Sequence, residues 1–199
     1  QYSIDEFFMD VTDSYHRFNS TVQAFCERLQ KEIHEETGIR CTIGIGSNML
    51  LSKVAMDIEA KHTANGVAEW RYQHVPEKLW PIQPLRDFWG INRKTEAKLN
   101  KRGIFTVGDL AQYPYQYLKR DFGILGVDMH LHANGIDQSK MREKYKVNNP
   151  SICKSQILMR DYEFEEAKVV MQELIEDVAS RVRARKKLAR TIHFSFGYS

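Results

Sequence analysis

The sequence has 199 residues, 42% of them apolar, and 29 basic against 26 acidic side chains give a formal net charge of +3. That length admits one large domain or two or three small ones with ordinary cores, and a charge so slightly basic means that any nucleic-acid surface must come from where charge is placed. Cys26, Cys41 and Cys153 are odd in number and follow no CxxC or Cys/His spacing, which argues against a disulfide framework or a zinc site and for a reducing cytoplasm. No apolar run approaches the about 18 residues of a membrane span, and no basic-then-apolar signal pattern opens the chain, so a soluble intracellular protein is expected. The sequence starts at Gln1 rather than Met and stops at Ser199 just after a strand-like run, so both ends read as cuts in something longer.

Tyr2-Ser3-Ile4-Asp5-Glu6-Phe7-Phe8-Met9-Asp10-Val11-Thr12 is an apolar, β-rich run broken by one acidic pair, which predicts a hairpin whose turn carries the carboxylates. A helix should follow, because Val22, Phe25, Cys26, Leu29 and Ile33 recur at helical spacing, with Ser20 or Thr12 to Ser14 as start signals and Gly38 as the stop. Cys41 to Ile45 alternates and is rich in β-branched residues, the pattern of a short strand. Ser47 or Asn48 can then cap a helix running to about Lys61, before Gly66 breaks the pattern. This order of strands and helices favours an α/β or α+β layer with helices against a sheet. Pro76, Pro81 and Pro84 punctuate the chain, and after them short helices separated by glycines extend to about Gly135 as an all-α module. Asn148, Asn149 and Pro150 predict a linker. Beyond it, a strand near Ser155 to Met159, a helix from about Glu163 to Lys187 and a strand from Thr191 to Tyr198 make half of a split β-α-β unit. Phe164, Met171, Leu174, Val178 and Val182 form the buried stripe of that helix.

Two adjacent carboxylates among apolar neighbours, as at Asp5 and Glu6, are unfavourable unless a cation compensates them or the turn is solvated. Mg²⁺ takes oxygen ligands and is often held by one or two carboxylates plus substrate phosphates, which suits in-line phosphoryl transfer. Gly44-Ile45-Gly46-Ser47-Asn48, then Leu51-Ser52-Lys53-Val54-Ala55 and Lys61 to Gly66, set a capped helix start before lysines; free amides and a distant ammonium suit a triphosphate. The alternative is surface lysines on an ordinary helix. Gly44 and Gly46 alone are too weak a signal for a phosphate loop.

Pro84 to Thr95, followed by Leu99 and Arg102-Gly103-Ile104, has the pattern of a helix-hairpin-helix, whose glycines let backbone amides reach a DNA phosphate without reading sequence. Arg86, Arg93, Lys94, Lys98, Lys101 and Arg102 stand against only Asp87 and Glu96, a surplus of about four positive charges. Trp89, Leu85 and Leu99 read as core, and Asn92 can adopt positive φ if the hairpin requires it. Arg181, Arg183, Arg185, Lys186, Lys187 and Arg190, with no acidic residue among them, either track a phosphate backbone or complement a helix end.

In this order the motifs resemble those of Y-family translesion DNA polymerases, in the UmuC-like (ImpB/MucB/SamB) branch. Ser3-Ile4-Asp5-Glu6 with Asp10-Val11-Thr12 is similar to the family's Ser-Ile/Val-Asp-Glu and Leu-Asp-Val-Thr. Residues 44–66 are similar to its Gly-Ile-x-x-Asn/Thr-Lys-x-Leu-Ala-Lys-x-Ala stretch ending in Lys-Pro-x-Gly. Met49 stands there for the usual lysine, Ser52 for an alanine, and His62-Thr63-Ala64 where many members have one proline. Trp89-Gly90-Ile91-Asn92 resembles the hairpin Trp-Gly-Ile-Gly, and the likeness continues through Thr106 to Ala111, Phe122-Gly123 and Ala133 to Asp137. Lys154-Ser155-Gln156, the long helix and Thr191-Ile192-His193 resemble the start of the little finger.

The resemblance implies an α+β fold: the C-terminal part of a polymerase palm over 1–76, an all-α helix-hairpin-helix thumb over 77–143, a linker over 144–152 and a truncated β-α-β little finger over 153–199. It implies error-prone, template-directed nucleotidyl transfer to a primer 3′-hydroxyl by two metals, for translesion synthesis and DNA repair, with Mg²⁺ as cofactor. Asp5 is then a catalytic ligand of both metals, Glu6 of the metal that activates the hydroxyl, and Lys61 a contact to nucleotide phosphates. Asp10 is structural, and Lys53 is either structural or functional. Gly90, Asn92, Lys94, Thr95, Lys98, Arg102 and Gly103, with Arg185, Lys186 and Lys187, are the implied DNA contacts. Partners are primer-template DNA and the incoming deoxynucleoside triphosphate, with a sliding clamp and an SOS regulatory subunit as candidates, and no membrane. The family also needs an earlier palm aspartate and a fingers module with a steric-gate aromatic, both upstream of this stretch, so the stretch alone is not expected to extend a primer. Two rivals stay open: a non-catalytic helix-hairpin-helix DNA-binding protein, and a palm-fold signalling cyclase, against which the thumb argues.

Overall fold

The computed structural model describes residues 2–18, 21–141 and 150–197. Ser20, Asn148, Asn149 and Tyr198, named above as signals or strand ends, lie outside the described residues. The chain divides into two compact units, 1–143 and 144–199.

In the first unit, helix α1 (Val22–Thr37) starts at Thr21, whose hydroxyl accepts from the Ala24 amide, and stops at Gly38, whose left-handed backbone (φ 72°) returns its N–H to the His34 carbonyl. Its start is therefore one residue past the expected Ser20. Strands β1 (Ile43–Gly46) and β2 (Val67–Trp70) pair in parallel, from Ile43 opposite Val67 to Gly46 opposite Trp70. They are joined through α2 (Met49–Ile58) and a 3₁₀ turn at Ala60–His62. Such a parallel pair needs a crossover, and α2 supplies it, burying Leu50, Leu51, Val54 and Ala55. The crossover is unusually close. A Cβ on Gly44 would collide with backbone atoms of Ser52 and Met56, and one on Gly46 with those of Leu51 and Ser52. Ser52 Oγ completes the seam by donating to the Gly44 carbonyl at 2.7 Å. The two glycines are packing residues, not a phosphate cradle.

Residues 2–12 do not form the expected hairpin. They make a bend in which the amides of Tyr2 and Ser3 donate to the Glu6 carbonyl at 2.8 and 3.1 Å, followed by irregular chain. The run has strand composition, but no described strand lies beside it to complete a ladder, and unpaired backbone settles into a local turn.

After β2 the chain turns all-α: 3₁₀ at Leu85–Asp87, α3 (Arg93–Asn100), α4 (Val107–Gln112), α5 (Tyr115–Phe122) and α6 (Ile124–Ala133). A single apolar cluster runs from Leu50, Leu51 and Trp70 through Leu79, Leu85 and Phe88 to Leu99, Ile104, Leu110 and Leu118. The sheet layer and the short helices of the first unit therefore share one core. Leu85 and Leu99 are fully buried as expected, whereas Trp89 lies at the margin of that cluster, half-exposed.

In the second unit α7 (Phe164–Ala184) is the one regular element among the described residues. The two strands expected at 155–159 and from 191 are extended chain without strand partners among the described residues, and their apolar side chains face solvent, Met159 at 97% and Ile192 at 83% exposure. A strand exists only by pairing, and so small a unit has too little surface to bury both segments. The stripe on α7 is correspondingly shallow: Met171, Leu174, Val178 and Val182 are half-buried and Phe164 is 77% exposed.

Candidate functional site

The bend at 2–6 turns Glu6 toward α2 and leaves Asp5 in solvent. Asp5 is exposed, and one of its oxygens accepts from Ser3 Oγ at 2.8 Å. Glu6 lies deeper, with Oε1 2.7 Å from the ammonium of Lys53. Lys53 also meets Asp57 Oδ2 at 3.1 Å, and the other oxygen of Asp57 accepts from Lys61 Nζ at 2.6 Å. Lys53 and Asp57 share one face of α2, Lys61 continues it from the 3₁₀ turn that follows, and the three form with Glu6 a ladder of alternating charge. Burial alone would lower the pKa of Lys53, but its bonds to Glu6 and Asp57 prevail and hold it above the ordinary lysine value. Burial alone would raise Asp57, yet bonds from Lys61 and Lys53 hold its carboxyl below the usual range. Asp10 accepts from the Thr12 amide at 3.2 Å and so shapes the chain after the bend.

The N-terminus of α2 is not the open anion site the sequence suggests. Asn48 accepts from the Leu51 amide, and the Asp137 carboxylate accepts from the Leu50 amide at 3.1 Å. A carboxylate from beyond α6 already sits where a phosphate was expected, and Lys61, at the opposite end, is the cation that remains half-exposed. Asp57 and Asp137 were both missed by sequence reading; the spacing of 53, 57 and 61 was a visible signal for the first.

The helix-hairpin-helix is present. Gly90 takes the hairpin's positive φ, 91°, and Gly103 opens the next turn at φ 76°, both with open space where a side chain would be. Asn92 does not need positive φ: at φ −97° it is the N-cap of α3, accepting from the Thr95 amide at 2.9 Å. Arg86 is paired with buried Glu96 at 3.1 Å. Arg102 is pinned by Asp121 at 2.8 Å, by the Lys98 carbonyl at 2.7 Å and by the Phe122 ring. Arg93, Lys94, Lys98 and Lys101 are exposed and carry no ion pair among the described residues. Of the expected contacts, Gly90, Asn92, Lys94, Lys98 and Gly103 are exposed, with Lys94 and Lys98 one turn apart on α3; Thr95 is half-buried, and Arg102, although exposed, is occupied by Asp121. Arg185, Lys186 and Lys187 are exposed at the end of α7 in the second unit.

Among the described residues no group of three or more His, Cys, Asp or Glu could hold a metal ion. The donor set at the bend is two carboxylates, all oxygen, with the outer one open to solvent. That chemistry fits a hard divalent cation whose shell is completed by water and substrate phosphates.

Models of known families match in chain order: the impB/mucB/samB family over 1–57, the IMS family HHH motif over 72–104, and the impB/mucB/samB family C-terminal domain over 149–199. The DNA repair protein homolog YobH of Bacillus subtilis is 47% identical over 172 residues, covering 86% of this chain and 79% of that protein. The chain belongs to the impB/mucB/samB family, the UmuC-like branch of Y-family polymerases. The resemblance read from the motifs is thus borne out, as is the α+β class. This impB/mucB/samB chain is also 38% identical over 192 residues to the DNA polymerase IV of Pelotomaculum thermopropionicum, covering 96% of the chain but 46% of that protein. It spans about half the length of most of the curated relatives it matches best. The crystal structure of DinB from Sulfolobus solfataricus shares its fold over 64% of the chain and 36% of that protein, with a TM-score of 0.52 and 23% identity. No helix among the described residues is long and apolar enough to cross a membrane.

Proposed function

We propose that this chain is a palm, thumb and little-finger portion of an error-prone DNA-directed DNA polymerase for translesion synthesis and DNA repair. The observation that carries the reading is the ladder from Glu6 to Lys61 beside a helix-hairpin-helix with four cations that carry no ion pair among the described residues. Asp5 and Glu6 would hold Mg²⁺, and the chemistry such an ion would supply there is charge neutralisation at the transferring phosphate and a lowered pKa of the primer hydroxyl. Lys53 keeps Glu6 oriented, and Lys61 exchanges its bond to Asp57 for the phosphates of the incoming deoxynucleoside triphosphate. The exposed Gly90, Asn92, Lys94, Lys98 and Gly103 take phosphates of primer-template DNA, and Arg185, Lys186 and Lys187 add backbone contacts. Two carboxylates leave the metal set short of a third protein ligand, so the chain by itself binds duplex without extending a primer. The three free cysteines suit a cytoplasmic setting, and the family resemblance supports a sliding clamp and an SOS regulatory subunit as partners.

The test is fluorescence anisotropy with a primer-template of arbitrary sequence across a salt series. Binding should weaken linearly in log–log form, and Lys94→Ala should reduce the slope by about one while affecting all sequences alike. Sequence-selective or salt-insensitive binding would overturn the interface, and Mg²⁺-dependent primer extension by the chain alone would overturn the incomplete-site reading.

A further inference from the structure

Trp89, read as a core residue, packs at the margin of the core and also reaches across the surface to the opening bend. Its indole Nε1 donates to the hydroxyl of Tyr2 at 3.0 Å, and the two rings meet edge-on with centroids 6.0 Å apart. Behind it, Trp89 stacks nearly parallel on His132 of α6, at 13° and 6.0 Å, so the indole is clamped between the thumb and the opening bend. Trp89 immediately precedes Gly90, whose φ of 91° makes the hairpin. Tyr2 is equally constrained from the other side. Its amide donates to the Glu6 carbonyl, its ring packs edge-on against Phe8 at 5.4 Å, and the Lys53 ammonium lies 6.0 Å over its face.

Tyr2 is therefore where three things meet: the hairpin through Trp89, the carboxylate bend through its own backbone, and the cation that holds Glu6. In a bend with no strand ladder of its own, such contacts set where the carboxylates point. We propose that Tyr2 and Trp89 are positioning residues that fasten the Asp5–Glu6 bend to the helix-hairpin-helix, so that the metal ligands are presented at a fixed distance from the DNA-engaging hairpin. The proposal rests on the reading of Asp5 and Glu6 as metal ligands. The strut acts through the bend.

The experiment uses the chain as it is, with Mn²⁺ as the probe, following paramagnetic broadening of the Asp5 and Glu6 amide resonances during titration. Tyr2→Phe keeps the ring and deletes the hydrogen-bond acceptor; Trp89→Phe keeps an aromatic and deletes the donor. Each should weaken Mn²⁺ binding by about two- to ten-fold, the value of one hydrogen bond, and the double variant should be no weaker than either single one, because both remove the same bond. Melting temperature should fall by no more than about 6 °C, the value of the same single bond, so that each variant remains folded throughout the titration. Wild-type affinity in both single variants, or losses that add in the double, would overturn the strut and leave the metal site standing. Absence of broadening at Asp5 and Glu6 in the wild-type chain, or broadening that survives Asp5→Asn, would overturn the metal reading and the strut with it.

Discussion

Replacing Lys53 by methionine keeps the length of the side chain and its apolar stem but removes the ammonium that joins Glu6 to Asp57. The Lys53 side chain is 11% exposed, while Glu6 and Asp57 keep 28% and 29%, so the carboxylates regain much of their hydration when the cation goes. The deep-interior penalty for an orphaned charge therefore does not apply in full. Each charge-assisted bond is worth about 1.5–3 kcal/mol, and with rehydration and the surviving Lys61–Asp57 pair the net loss is about 2 kcal/mol. For a unit of this size that lowers the melting temperature by about 6–10 °C. The pH dependence has a definite sign. Asp57, whose carboxyl lies below its ordinary 3.8, contributes above that value and loses its contribution as pH falls through the depressed one. Lys53, held above its ordinary 10.5, contributes below that value and loses its contribution as pH rises through the elevated one. The penalty of Lys53→Met is thus full between about pH 5 and pH 10 and closes toward either end. Thermal unfolding followed by circular dichroism, on wild type, Lys53→Met, Asp57→Asn and the double variant, should also give a coupling of about 1 kcal/mol. A Lys53→Met variant that melts within 2 °C of wild type at neutral pH, or a difference that widens in acid, would refute the ladder.

Gly46→Ala should cost at least about 3 kcal/mol in urea unfolding, the upper end of overpacking, because the new methyl meets the backbone of α2 rather than a side chain that can swing away. A loss below about 1 kcal/mol would mean that the sheet and helix are not in such close contact. Burial, reinforced by Glu69 and Glu27, pushes the Cys26 thiol up to about 11, whereas Cys153 is exposed. Iodoacetamide at pH 8 should therefore label Cys153 first and leave Cys26 unmodified in the native chain, as read by peptide mass spectrometry. Asp121 is held down to about 2 by Arg120 and Arg102. Asp121→Asn should free Arg102 for phosphate contact and steepen the salt dependence of duplex binding by about one; an unchanged slope would show that Arg102 takes no part in binding.

Much of the fold was legible because local chemistry and tertiary structure agree. Gly38 ends α1 where a left-handed residue was needed, Asn48 caps the helix that follows it, and the prolines at 76, 81 and 84 mark the change to short helices. The strands were less so. Val67–Trp70 is too short to show a period, and the runs at 2–12, 155–159 and 191–197 have strand composition without the partner that makes a strand. Composition records which surface a segment prefers to bury; pairing depends on what lies alongside, and that is a property of the neighbours.

The same distinction governs the site. Counting charges between 86 and 103 finds about four in surplus, and four cations there carry no ion pair among the described residues, but not by removing any two at random. Arg86 is taken by Glu96, its neighbour across the hairpin, while Arg102 is taken by Asp121, nineteen residues away on α5. No local pattern could separate Arg102 from Lys98 or Lys101, because the deciding carboxylate arrives through the packing of α5. At the carboxylates the separation runs the other way: Lys53, Asp57 and Lys61 were readable as one helical face, but their link to Glu6 crosses 47 residues and exists only because β1, with two glycines in place of side chains, lets α2 settle against the sheet. A methyl group on that strand would move α2, and with it Lys53, away from the bend that holds Asp5 and Glu6.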